Sequence, residues 1–248
     1  MSKDINYDLA FWKTRAKKYN NLEWANHRLY LKEFVKAGDF RKQDIVLDVG
    51  TGTGIVARAI FPFVGQVIGL DKSQDMLEHS NWHGNMYFIR GDVCCPIFAE
   101  GVFDKVTARQ VFHHILEDTQ RAMDECYRVL KKGGEMIFSE GVPPSLGAKK
   151  DYIEVFKLKE KRLTFMPEDL EALMKNSGFK NVKMKIIWLK KMSIKNWLAN
   201  SNLSSAIQKK IFMLHKNFPE YVRKAYKMVE TDGDCLIDMK MVILVGKK

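Results

Sequence analysis

The chain has 248 residues, 46% hydrophobic and 29% charged, which is enough for a full core and too short for two equal domains, so one domain with an embellishment is expected. No stretch approaches the roughly 20 apolar residues that span a bilayer, the N-terminus does not read as a secretory signal, and Cys94, Cys95, Cys126 and Cys235 have neither zinc-site nor disulfide spacing. A cytoplasmic protein with reduced cysteines and no metal is the expectation, and its net charge of +11 lies wholly in residues 145–248, where 20 of 22 basic residues are lysines.

Residues 7–37 read as helical, with Leu9, Phe11, Trp12, Leu22, Trp24, Leu29 and Phe34 at roughly helical spacing and Gly38 ending the pattern. Strands and helices then alternate: strand 45–49, a helix from Gly54, strand 67–70, helix 73–80, strand 86–89, strand 105–108, helix 119–130 and strand 135–139 after the Gly133-Gly134 turn. This alternation predicts a parallel sheet with helices on both faces. After Pro143-Pro144 a short helix starts at Pro167 and ends by Gly178, a strand covers 182–189, and residues 193–230 are helical in pattern before a last strand at 236–245. An insertion of about forty residues is too long for a simple connection and is expected to form a lid. Trp188, Trp197, Phe212 and Met213 are its candidates for lining an acceptor pocket, with plain helix packing as the alternative.

The stretch that organises the chain is Ile45-Val46-Leu47-Asp48-Val49-Gly50-Thr51-Gly52-Thr53-Gly54, an apolar strand running into a glycine turn and then a helical pattern. Such a turn holds a nucleotide-like ligand against exposed backbone. A dinucleotide fingerprint would need a glycine at position 55, where Ile55 stands. Asp48 just before the turn would repel a pyrophosphate but suits a ligand with a cationic amine, so a zwitterionic ligand is expected.

These residues resemble the first motif of the class I S-adenosylmethionine-dependent methyltransferases. Val67-Ile68-Gly69-Leu70-Asp71-Lys72-Ser73 resembles the second, with Asp71 standing 21 residues after Gly50. Ile89-Arg90-Gly91-Asp92-Val93, Cys95-Pro96-Ile97-Phe98, Phe103-Asp104-Lys105-Val106 and Arg128-Val129-Leu130-Lys131-Lys132-Gly133-Gly134 continue the series in order over residues 44–140. The likeness is to the small-molecule branch that includes the ubiquinone and menaquinone biosynthesis methyltransferases. It implies a doubly wound, Rossmann-like, seven-stranded α/β sheet with its last strand antiparallel, N-terminal helices at 1–43, a cofactor-binding core at 44–140, and an acceptor-side region at 141–248 with a helical lid at 193–230. It also implies S-adenosylmethionine as cofactor, with Asp71 on the ribose hydroxyls and Asp92 near the adenine. Asp48, Gly50, Thr51, Gly52 and Gly54 supply the turn, and Lys72, Met76, Val93, Arg109 and Tyr19 complete the implied cofactor contacts.

Methyl transfer from a sulfonium is an in-line displacement, for which alignment matters most and a base is optional. Candidate bases are His113, His114, Glu140 and His215. Successive helical residues point about 100° apart, so one of His113 and His114 at most should face the pocket. The expected reaction is methylation of a small, possibly anionic molecule. Its rivals are an RNA methyltransferase using the lysine-rich part and a non-catalytic cofactor-binding scaffold; the preponderance of lysine over arginine argues against base reading in nucleic acid.

Overall fold

In the computed structural model, which describes residues 3–80, 84–95 and 98–248, β1 (Ile45–Val49) lies at the centre of the sheet. Its apolar residues alternate between two cores. Leu47 and Val49 join one, Val46 the other, as the two-residue period of a strand covered on both faces requires. Before it come α1 (Lys3–Tyr19) and α2 (Arg28–Ala37); after it come α3 (Ile55–Ile60), β2 (Gln66–Asp71), α4 (Gln74–Leu77), β3 (Met86–Arg90), β4 (Phe103–Arg109), α5 (Thr119–Val129) and β5 (Leu130–Val142). The rest is α6 (Lys149–Lys159), α7 (Pro167–Asn176), β6 (Lys180–Ser193), α8 (Ile194–Ala199), α9 (Ser205–Lys216), α10 (Glu220–Ala225), β7 (Val229–Thr231) and β8 (Asp234–Lys247).

The sheet runs β3-β2-β1-β4-β5-β8-β6, with β3, β2, β1, β4 and β5 mutually parallel and β8 antiparallel to both β5 and β6. This is the expected doubly wound seven-stranded path. The short β7, pairing with β8, is an eighth strand not anticipated. One face carries α5 and α7 through Ala122, Met123, Leu170 and Met174; the other carries α2 and α3 through Tyr30, Phe34, Val56 and Ile60. Among the described residues no helix is long and apolar enough to cross a membrane.

Three segments differ from the sequence expectation. The helical reading of 7–37 breaks between Tyr19 and Arg28, where Asn20 folds the chain over: its carbonyl accepts from Asn26 Nδ2 at 2.6 Å and its side chain accepts from the Thr53 hydroxyl at 2.6 Å. Helix α6 was not foreseen. The insertion before the last strand is helical, but it is three short helices and a strand rather than one slab, with its own core: Leu198, Ile211, Phe218 and Val222 pack against Tyr152 and Val155 of α6. Pro96 and Ile97 of the Cys95-Pro96-Ile97-Phe98 motif lie outside the described residues.

Candidate active site

The carboxyl ends of β1, β2 and β4 meet where the strand order reverses, the usual ligand position in an open α/β sheet. A cleft of about 560 Å³ opens there, inside the range of about 300–1,000 Å³ typical of small-molecule sites. The glycine turn forms its floor. Gly50 has φ +61°, and a Cβ on it would fall 2.4 Å from Val111 Cγ2, so only glycine lets the loop after β4 close beneath the turn. Gln110 makes that approach possible: at φ +61° it reverses the chain while its N–H donates to the Ser139 carbonyl at 2.8 Å.

Asp48, Gly50, Thr51 and Gly52 line the cleft from the turn; Asp71, Lys72 and Met76 line it after β2, and Asp92 and Val93 after β3. Asp48 is 1% exposed and accepts from the hydroxyls of Thr51 and Thr107, both at 2.7 Å. Burial pushes its carboxyl up to about 6 despite those two hydrogen bonds. Asp71 accepts from Gly52 N–H and Ser73 N–H, each at 2.8 Å, and burial raises its pKa against these donors. Burial also pushes on Asp92, but the Cys94 N–H and the Lys72 ammonium at 3.2 Å outweigh it and hold that carboxyl below its ordinary value. Three acids thus face one half of the cleft. Ser73, not Asp71, caps α4, its hydroxyl accepting from Met76 N–H at 3.3 Å. Gly54 is not in the cleft wall: at φ +78° it is the N-cap of α3, with its N–H on the Thr51 carbonyl.

The opposite wall comes from α1 and the end of β4. Tyr19 and Arg109 line it, while Trp24 packs among core side chains. Arg109 is 7% exposed, its guanidinium donating to the Ala25 carbonyl at 2.9 Å and lying 5.1 Å from the Tyr30 ring. It is therefore a buried cation at the cleft.

His114 lines the cleft and His113 does not. The His114 ring stands edge-on to Trp12 at 4.8 Å. His113 is turned inward, Nδ1 2.6 Å from Glu140 Oε2, and the other Glu140 oxygen accepts from the Val111 and Phe112 N–H groups at 3.0 and 2.8 Å. Glu140, a candidate base in the sequence, is fully buried and does not line the cleft, because it ties the loop after β4 to the end of β5. Burial lifts it to about 7 and, with the nearby cations, drives both histidines well below their ordinary value, so both are neutral. His215 is excluded as a base: it lies inside the insertion's core with Nδ1 on the Ile211 carbonyl at 2.8 Å. None of the expected lid residues lines the cleft. Trp197 and Phe212 pack in the insertion's core, Trp188 lies under Lys227 and Lys240, and Met213 faces solvent.

The cleft also includes Trp12 and Lys161, which the sequence did not single out. Trp12 had a visible signal, an aromatic on the helix that leads to Tyr19. Lys161 had none, being one charge in the run Lys159-Glu160-Lys161-Arg162.

Comparison with known proteins agrees with this fold. The family described as "Methyltransferase domain" matches residues 47–138. The demethylmenaquinone methyltransferase of Staphylococcus carnosus is 30% identical over 202 residues, covering 69% of this chain and 83% of that protein. YcgJ of Bacillus subtilis, an uncharacterized methyltransferase, is 31% identical over 116 residues, which cover 44% of this chain and 46% of YcgJ, so the sequence match spans under half of that relative's length. Its crystal structure superposes with a TM-score of 0.80 over 90% of this chain and 99% of that one, at 21% identity. The phosphoethanolamine N-methyltransferase 2 of Haemonchus contortus, solved with phosphomonomethylethanolamine and S-adenosylhomocysteine, shares the fold at a TM-score of 0.64 and 19% identity, over 95% of this chain and 57% of that one. The chain belongs to the class I S-adenosylmethionine-dependent methyltransferases.

Proposed function

We propose that this enzyme transfers the methyl group of S-adenosylmethionine to a small anionic molecule. The observation that carries the reading is that the cleft lined by Asp48, Asp71 and Asp92 also holds the cations Arg109 and Lys161 and a neutral His114, with Glu117 and Asp118 lining it as well. When bound, the cofactor supplies a methyl group already activated on a sulfonium. What remains for the protein is alignment, an effect worth up to about 7–11 kcal/mol.

In this reading Asp71 receives the ribose hydroxyls on the lone pairs left by Gly52 and Ser73, Asp92 and Val93 flank the adenine, and Asp48 faces the cationic amine. Gly50, Thr51 and Gly52 offer backbone, Lys72 keeps Asp92 ionised, Met76 packs beneath Gly52, and Arg109 meets the carboxylate of the methionine end. Gly54 acts indirectly, through the start of α3. Tyr19 closes the site from α1. His114 accepts a proton from the acceptor where the reaction releases one. His113 and Glu140 are positioning residues that hold the His114 loop.

The test is incubation with methyl-labelled cofactor and a fractionated extract, with mass spectrometry of the labelled product and Asp71→Ala as blank. A labelled acidic small molecule, absent from the blank, is the expected result. Label in RNA, or equal label in the blank, overturns the proposal.

A further inference from the structure

Directly behind His114 the protein buries four charged side chains in one cluster. Arg15 of α1 reaches Glu160 Oε2 at 2.9 Å, Lys159 meets the same oxygen, and Arg162 approaches Oε1 at 3.5 Å. All four side chains are at most 7% exposed. Among the described residues three basic side chains thus share one carboxylate, and the surplus charge cannot be solvated where it lies. His113 and His114 are neutral, and among the described residues the other acid facing the group is Glu140, whose oxygens are held by Val111 and Phe112 N–H and by His113. Arg15 Nε is buried with no hydrogen-bond partner among the described residues. Burying a guanidinium beside two further cations with a donor left idle is unfavourable unless an anion completes the group.

A metal ion does not fit. Ligand atoms of His113, His114 and Glu160 lie within 4.8 Å of one another, but both Glu160 oxygens already face cations, and a further positive ion would be repelled by all three. An oxyanion reverses every one of these signs.

The cluster adjoins the cleft. Lys161, between Glu160 and Arg162, lines the cleft, as do Trp12, whose ring lies 5.2 Å from the Arg15 guanidinium, and His114. A negative group at that wall enters the field of the buried cations and has Lys161 beside it. We propose that Lys159, Lys161 and Arg162, together with Arg15, form the recognition site for an oxyanion, carboxylate or phosphate, on the molecule that is methylated. This deepens the anionic-acceptor reading above and rests on it. It also gives the KEKR run a function: Lys161 lines the cleft while Lys159, Glu160 and Arg162 form the buried group behind it.

The test is calorimetry on the full chain preloaded with S-adenosylhomocysteine, titrated at constant ionic strength with inorganic phosphate in one arm and benzoate in the other. One of the two should bind, identifying the oxyanion as phosphate or carboxylate, and its binding should weaken by about tenfold in Arg162→Gln and in Lys161→Gln. Lys161 is exposed, so its variant keeps the fold. Repeating the titration at pH 8 in two buffers of different ionisation enthalpy should show proton uptake, because Lys159, brought down to about 7 by burial and by Arg15, regains its proton beside an anion. Normal binding of S-adenosylhomocysteine with no binding of either probe, binding undiminished in both variants, or binding without proton uptake overturns the proposal. Failure to bind S-adenosylhomocysteine would instead overturn the methyl-donor reading, and this one with it.

Discussion

Asp71 and Gly52 are joined by a 2.8 Å hydrogen bond from the glycine N–H to the carboxylate, so the acid that faces the cleft also fixes the shape of the turn beside it. Asp71→Ala should therefore do two things at once. Affinity for S-adenosylhomocysteine should fall by about ten- to a hundredfold, and stability by about 1–3 kcal/mol because the Gly52 N–H loses its acceptor. Calorimetry and urea unfolding measure the two effects separately; unchanged affinity would remove Asp71 from the cofactor site.

Glu140 gathers two backbone N–H groups and His113 at one buried carboxylate. Removing it as Glu140→Ala leaves all three without an acceptor, and a loss of about 3 kcal/mol is expected in urea unfolding. The pH dependence has a definite sign. The folded pKa, about 7, is raised from 4.5, so the contribution is fully favourable below the unfolded value and is lost as pH rises through 7. Glu140→Gln cannot ionise, and its stability relative to the native protein should improve between pH 5 and pH 7.5.

Asp48 titrates at about 6 in the folded protein without ligand. A cationic amine beside it favours the ionised form, so S-adenosylhomocysteine should bind more weakly as pH falls below 6, approaching tenfold per pH unit. Fluorescence titration between pH 5 and 8 checks this. The slope should vanish in Asp48→Asn.

For His114 the decisive substitution is Phe. His114→Phe keeps a ring against Trp12 but has no lone pair, and kcat should drop by about 10²–10⁴ with the acceptor identified from the labelling experiment if a proton leaves it. KM should change far less. A loss in KM alone would make His114 a wall residue.

Glu160→Gln leaves Arg15, Lys159 and Arg162 without their shared counter-charge. Breaking one partner of a buried ionic group costs about 3–5 kcal/mol, and a fall in thermal midpoint of about 6–20 °C is expected. A variant as stable as the native protein would show that the cluster is solvated in solution.

The cleft wall with Asp48, Asp71 and the glycines is legible in sequence because it is local. Asp48 and the glycines belong to one strand and its turn, and Asp71 ends the next strand, so the motif series that resembles a known family runs straight through them. The charged group beside it is not local: Arg15 and Glu160 are 145 residues apart, and Lys159-Glu160-Lys161-Arg162 reads as solvated charge until Lys159, Glu160 and Arg162 are seen buried against Arg15 of α1. Helix α6 itself was hidden because Lys149, Lys150, Lys157 and Lys159 interrupt the apolar stripe of Tyr152, Val155 and Phe156. The His113-His114 pair was visible, and that one would face inward was predictable. Which one depends on the left-handed turn at Gln110, a conformation that a non-glycine residue does not announce.

Among the described residues the core of the helical insertion shares only Trp197 and Met239 with the neighbouring apolar clusters; the rest is its own, built against α6. Apart from Trp197, which packs with Ile55, substitutions inside it leave the packing around the glycine turn unchanged, so the two parts of the chain can diverge at different rates. A lineage of this enzyme could vary the stretch after α6, which brings Lys161 to the cleft, while its dependence on the same methyl donor stays untouched.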